Sequence, residues 1–456
     1  MCHHQVRPRR GATEAVRQQA SRYLVVSDAV YADGAGKPVR LVLNTRTSRV
    51  STVGDQVARA LRHGDCAALP AAVSDRLSDL KILVPEGRDE LTDVLDEQRA
   101  RARSAATLNY VLVPNGYCNL GCEYCGQVHV RGKTSANHRS AVRDRILRAV
   151  NRPSTQEVRI GWFGDDPLMA YAVVRDLARQ FVEAAVAAGV RYRSRLTTDG
   201  ALLTLRKLRV LYEECRVDSV CVTIDGIGDP RRQHDRVLAV LADVVRHADE
   251  FPELGLTIRG TLDVADIDHV DTFIDAMVKA GLNHPMVEFD LRVVHAWSND
   301  MSAPRVARQR FAAAEPRWLR RMHEVGMVTR TLIPAQLRGP ICPAVTRSAE
   351  VISSSGAIFS CTEHPLVPEH EQGDVLELVE HADHDRQRPA GRYDDWHDRV
   401  NRGEQSCAGC VFLPVCGGRC PKHWGEGNPP CPSYKFNIQQ RLELEALRTG
   451  LVPLLT

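Results

Sequence analysis

The chain lacks any apolar run approaching the ~18 residues a spanning helix requires, so no transmembrane helix is expected. Its first ten residues, MCHHQVRPRR, lack the apolar stretch of a secretory signal, and a cytoplasmic location is expected. It also lacks a dominant charge: 60 basic against 57 acidic residues leave +3, which implies no nucleic-acid partner and no anionic membrane. Internal repeats and long low-complexity tracts are missing as well. With 43% hydrophobic and 26% charged residues the composition is that of a globular protein, which excludes wholesale disorder. A length of 456 residues suggests two to four structural units.

What is abundant is cysteine. There are 14, unevenly spread. Cys118, Cys122 and Cys125 fall within eight residues, and Cys407, Cys410, Cys416, Cys420 and Cys431 within 25, with Cys342 and Cys361 between the groups. In a reducing cytosol disulfides are rare, so clustered cysteine points to metal or cluster ligation. Cys2, Cys66, Cys215 and Cys221 are scattered and read as ordinary thiols.

The pattern along the chain divides it into segments. Residues 1–21 are polar and Arg-rich, a loose arm. Residues 22–88 read as a small α+β, winged-helix-like unit: strands YLVVSDAVYA, PVRLVLNT and RVSTV, then helices QVARALRHG and AALPAAVSDRLSDLKILV. Residues 89–107 read as a solvated helical linker. Over 108–330 six strand-helix units follow, with strands NYVLVP, EVRIGWFG, RYRSRLTT, SVCVTIDG, LTIRGTLD and MVEFDLRVV. Such a series implies a parallel sheet wound into a partial (β/α)6 TIM-like barrel, whose chemistry belongs at the C-terminal ends of the strands. Residues 331–456 lose the rhythm. Rich in Cys, Gly and Pro, with short elements only, they would need metal or clusters to fold.

The first motif is Cys118-Asn-Leu-Gly-Cys122-Glu-Tyr124-Cys125. Three thiolates on one tight loop can hold three irons of a 4Fe–4S cube and leave the fourth open. A zinc site short of one ligand is the alternative, although zinc favours paired CxxC knuckles. The motif resembles that of the radical S-adenosylmethionine (AdoMet) superfamily, CxxxCxΦC, with Tyr124 as the aromatic. The resemblance implies that AdoMet binds the open iron through its amino and carboxylate groups. An electron from the cluster, itself fed by a flavodoxin or ferredoxin, then cleaves the sulfonium, and the deoxyadenosyl radical abstracts hydrogen from an unactivated C–H bond. The cofactor carries the hard chemistry while the protein positions and shields.

Further family features occur in order. The usual GGEP reads Gly164-Asp165-Asp166-Pro167, so Asp166 replaces Glu with a shorter side chain and Asp165 adds one. The TNG-like segment is Thr198-Asp199-Gly200, and the fourth strand ends in Thr223-Ile-Asp225-Gly. Arg259 matches a family arginine that can face the cofactor carboxylate. In the C-terminal third, Cys342, Gly356-x4-Cys361, Cys407-x2-Cys410-x5-Cys416-x3-Cys420 and Cys431 resemble the SPASM domain. That resemblance implies two auxiliary 4Fe–4S clusters, three in all. Cys407, Cys410, Cys416 and Cys431 would hold the outer one. Cys342, Cys361 and Cys420 would hold the inner one, whose fourth ligand is not evident. A zinc ribbon built from the CxxC and CxxxC pairs stays open.

In layout, residues 22–88 are similar to the leader-binding element of ribosomal-peptide (RiPP) maturases, where a precursor's leader adds as a strand to a sheet edge. A structural extension is the alternative. The expected function is a peptide maturase that installs a crosslink or similar modification on a precursor peptide. The alternatives are a dehydrogenase of a small metabolite and a sulfatase-maturase-like oxidation of a protein. The last is weakened because Thr362 and Glu363, not Asp, follow Cys361.

Overall fold

The computed structural model describes residues 17–117, 135–225, 234–262, 266–293, 302–329, 332–362, 372–376 and 388–454. At the N-terminal end, β1 (Gln18–Ala20), β2 (Leu24–Val26), β3 (Val30–Ala32), β4 (Pro38–Asn44) and β5 (Arg49–Gly54) precede α1 (Asp55–His63) and α2 (Ala71–Asp79). Then come β6 (Leu83–Pro85) and α3 (Glu90–Arg103). Three differences from the sequence reading stand out. The run YLVVSDAVYA is two strands, because Ser27 turns its hydroxyl onto the chain, donating to Ala29 O and accepting from Leu41 N. The second helical stretch stops at Asp79, and Leu83–Pro85 pairs antiparallel with Gln18–Ala20, so the end of the supposed loose arm is a strand. The supposed linker α3 is capped by Asp89, which accepts from Thr92 N, and it is not solvated all round. Its Val94 and Leu95 pack with Trp396, Val400 and Leu413 of the C-terminal region.

The barrel strands are β7 (Thr107–Leu112), β8 (Glu157–Trp162), β9 (Arg191–Thr198), β10 (Val217–Asp225), β11 (Gly255–Leu262) and β12 (Val287–Val293). Between them run α4 (Ala136–Val150), α5 (Tyr171–Ala188), α6 (Leu205–Glu213), α7 (His234–Arg246) and α8 (Val270–Lys279). After them come α9 (Ser302–Glu324) and a short strand β13 (Val328–Thr329). All six strands are parallel and lie side by side in chain order, which is the barrel arrangement and not the reversing order of a doubly wound sheet. No pairing closes the sheet on itself among the described residues, so the barrel is partial.

Strand alternation divides the sheet into two faces. Tyr110, Ile160, Trp162, Leu196, Val222, Ile258 and Phe289 pack under the helices in one large core. On the opposite face the intervening positions are largely polar, among them Asn109, Arg195, Thr223, Arg259, Asp290 and Arg292. Gly161 faces Arg195 there, whose Nε would lie 3.2 Å from an added Cβ.

The C-terminal region contains more structure than its composition suggested. A strand β14 (Ala349–Ile352) pairs parallel to β7 and carries β15 (Ala357–Phe359) and β16 (Gly373–Asp374) on its far side, giving ten strands in one sheet. Beyond α10 (Trp396–Asn401), α11 (Leu413–Cys416) and α12 (Pro421–Gly425) runs α13 (Tyr434–Arg448), fifteen residues long and not a short element. It is bound to α9 by buried Arg441, which donates to Glu315 at 2.6 Å. A last strand, β17 (Val452–Leu454), pairs antiparallel with β3 of the N-terminal unit.

Candidate functional site

The rim formed by the C-terminal ends of β7 to β10 collects most of the motif residues. Asp166 caps the turn that opens at Pro167, accepting from Leu168 N at 2.8 Å. Its other oxygen accepts from Thr198 Oγ1 at 2.8 Å and Asp199 N at 3.2 Å, joining the end of β8 to the end of β9. The carboxyl is wholly buried, and burial, then the neighbouring Asp199, push its pKa up to about 7. Asp166 therefore sits beneath the rim as a brace, whereas its neighbour Asp165 is half-buried. Gly164 adopts φ +85°, and a Cβ there would lie 2.6 Å from Val113, just past the end of β7, so only glycine fits this turn.

Thr223 lies on β10 and Asp225 ends it. Arg259 on β11 lies opposite Asp290 on β12 and donates to it at 3.3 Å. Cys118, Cys122, Tyr124 and Cys125 lie outside the described residues, as does Glu363. The described chain leaves β7 through Tyr117 at this same rim and resumes at Ser135, the cap of α4.

The C-terminal cysteines fall into two groups. Cys407, Cys410, Cys416 and Cys431 line one tight pocket together with Phe412, Trp424 and Lys435. Lys435 Nζ lies 3.5 Å from Cys431 Sγ. Burial, then the thiols of Cys416, Cys431 and Cys410, push Cys407 up to about 12. Cys420 is not part of that lining. Cys342 and Cys361 pack instead around Tyr393, a residue that Cys420 also reaches electrostatically. Among the described residues no three His, Cys, Asp or Glu side chains are gathered closely enough to grip a single metal ion.

These thiols fit a cluster. Four thiols converge on one pocket, and burial holds those of Cys407 and Cys416 toward the neutral form, which a cationic iron centre that takes up thiolate charge would reverse. Ligands about one zinc ion would have to close to within ~4 Å of one another, given Zn–S bonds of ~2.3 Å.

The fold and these two cysteine groups define the class: a partial α/β barrel continuous with a cysteine-rich auxiliary module. No family model and no curated protein matches the chain. Solved structures do. Native anSMEcpe with bound AdoMet and Kp18Cys peptide matches over 75% of this chain and 98% of that one, at 13% identity and a TM-score of 0.53. Native anSMEcpe with bound AdoMet matches over 75% and 97%, at 13% identity and a TM-score of 0.52. SuiB of Streptococcus suis bound to precursor peptide SuiA aligns over 91% and 99%, at 13% identity and a TM-score of 0.42. The likeness to anSMEcpe is one of fold, and it spans nearly the whole of that protein. No helix among the described residues is long and apolar enough to cross a membrane.

Proposed function

We propose that the protein is a radical AdoMet peptide maturase with three 4Fe–4S clusters. Cys118, Cys122 and Cys125 would hold the first. Cys407, Cys410, Cys416 and Cys431 would hold the outer auxiliary cluster, and Cys342, Cys361 and Cys420 the inner one. What supports the reading is convergence: the segment entering the triplet, the Gly164–Pro167 turn, Thr198–Gly200 and Asp225 meet at one rim. When bound, the first cluster and AdoMet supply the electron and the hydrogen-abstracting power. The chain's own residues hold and shield. Asp166 and Thr198 lock the rim, Arg259 presents a guanidinium toward the cofactor carboxylate, and the polar inner face of the sheet receives substrate.

The substrate we infer is a ribosomal precursor peptide. β5 pairs with β4 alone among the described strands, so its outer edge can accept a further strand. It borders a cleft of about 530 Å³ lined by Val50, Met327, Ile333 and Leu444. A leader held there would place its core within reach of the barrel. The N–H groups of Val50 and Thr52 face away from β4, because Leu41, opposite Thr52, directs its own N–H and C=O to Ser27 on the other side. Proline substitutions at Val50 and Thr52 should weaken precursor binding at least tenfold. Unchanged affinity would make the N-terminal unit a structural extension.

Anoxic reconstitution tests the whole reading. Three clusters should give about twelve irons per chain, and deoxyadenosine should form on reduction with AdoMet. Replacing Cys118, Cys122 and Cys125 with Ala should remove about four irons and all the deoxyadenosine. Material that binds only zinc would sink the proposal.

A further inference from the structure

β11 and β12 set three charged side chains side by side on the inner face of the sheet. Arg259 is registered against Asp290, and Arg292 against Thr261, one step nearer the rim. Asp290 Oδ2 accepts from Arg292 Nε at 2.7 Å and from Arg259 Nε at 3.3 Å. One carboxylate thus serves two guanidiniums. A third, Arg419, reaches Arg292 electrostatically from the C-terminal module. Arg419 sits between Cys416 and Cys420 in the left-handed region, φ 59°, where only glycine is at ease. The two preceding residues, Gly417 and Gly418, are left-handed too.

These groups are not balanced. Three cations against Asp290 leave two positive charges. Glu288 lies on the same face of β12, a two-residue step (~6.8 Å) deeper than Asp290. Arg419 lies over the Tyr434 ring, 6.0 Å from its centre. On β12 the cation nearest the rim is Arg292. Burial works against its charge, Asp290 favours it, and Arg259 and Arg419 oppose it. Its side chain keeps 48% of its surface open to water on the inner face of the sheet. Nη1 and Nη2 of Arg292 have no hydrogen-bond acceptor among the described residues. That is a planar fork of donors, inside the sheet near its reactive rim, in a positive field. Such a fork suits a carboxylate in two-point contact.

We infer that Arg292, backed by Arg419, is a carboxylate-binding site for the substrate. It selects a peptide that carries an acidic group close to the residue to be modified. The inference rests on the proposed peptide substrate and narrows it to one with an acidic side chain or a free C-terminal carboxylate near the reacting position.

The test is equilibrium dialysis under anoxia with the reconstituted full chain and three probes. These are acetyl-Ala-Glu-Ala-amide, acetyl-Ala-Gln-Ala-amide, and acetyl-Ala-Gln-Ala with a free C-terminal carboxylate. At least one carboxylate probe should bind ten times more tightly than the neutral amide, and which one does identifies the source of the group. Acetate should compete and acetamide should not. In Arg292→Gln the preference should fall below twofold, and in Arg292→Lys it should persist in part, while AdoMet affinity in both stays within twofold of wild type. Equal binding of all three probes by the wild type overturns the inference. So does a preference that survives Arg292→Gln, or a tenfold loss of AdoMet affinity in that variant, which would give the guanidinium to the cofactor. If Arg292→Gln does not fold, the wild-type ranking and the acetate competition decide alone. Deoxyadenosine formation is measured separately: its failure alongside intact carboxylate preference would refute the radical chemistry and leave this site standing.

Discussion

Asp166 turns inward, and its buried carboxylate accepts from the Thr198 hydroxyl and the Asp199 amide. Its pKa, raised from 3.8 to about 7, sets the sign of a pH effect. Between those values the native state holds a proton that the unfolded chain has released, so stability falls as pH rises toward and through 7. Urea unfolding at pH 5 and pH 8 should show this loss in the wild type and a smaller one in Asp166→Asn; equal slopes would mean the carboxyl is ionised throughout. At Gly164, replacement by Ala meets both a positive φ and the Val113 side chain. It should cost about 1–3 kcal/mol, read as a lowered midpoint in the same assay. The motif at 164–167 was visible in the sequence because a Gly and a Pro flanking two acids after an apolar strand mark a turn. The burial of Asp166 was not visible, since it depends on Thr198, 32 residues away.

At the scale of elements, the alternation of strands and helices from Thr107 to Val293 could be read directly, because each unit carries its own periodicity and turn signals. The additions at the sheet's edge could not. β14 is four residues long, and nothing in Ala-Glu-Val-Ile names β7 as its partner. The contact is made specific by Arg145 of α4, which clasps Glu350 through two bonds of 2.7 Å, both side chains buried. Glu350→Gln removes the charged acceptor that Arg145 grips in this buried pair and should destabilise the protein by about 3–5 kcal/mol. The pair Arg145→Met with Glu350→Leu should recover much of that loss. A single variant as stable as wild type would show that water reaches the pair. The helix α13 was hidden for a related reason: its apolar stripe faces Phe412, Val415 and Leu43, whose proximity only the tertiary fold creates.

The molecule as a whole is tied at several distant places. β17 lies on β3, and Arg99 of α3 reaches Asp398. The boundaries drawn from composition at 88, 107 and 330 therefore fall where segments change in sequence without separating in space. Deleting residues 450–456 removes the strand that covers β3. Hydrogen exchange should then quicken at least tenfold at Val30–Ala32 while β8 to β11 stay protected. Uniform protection would mean that β17 adds nothing to the sheet.

The pairing of β14 with β7 bears on how the chain is made. As the ribosome adds residues, Thr107–Leu112 emerges with one flank bare, and its neighbour Ala349–Ile352 is translated about 240 residues later. At bacterial-type elongation speeds that interval is on the order of 10–50 s. The nascent barrel thus spends its whole synthesis with an adhesive border exposed, and slower translation or crowding of polysomes should send more of it to inclusion bodies than to native protein.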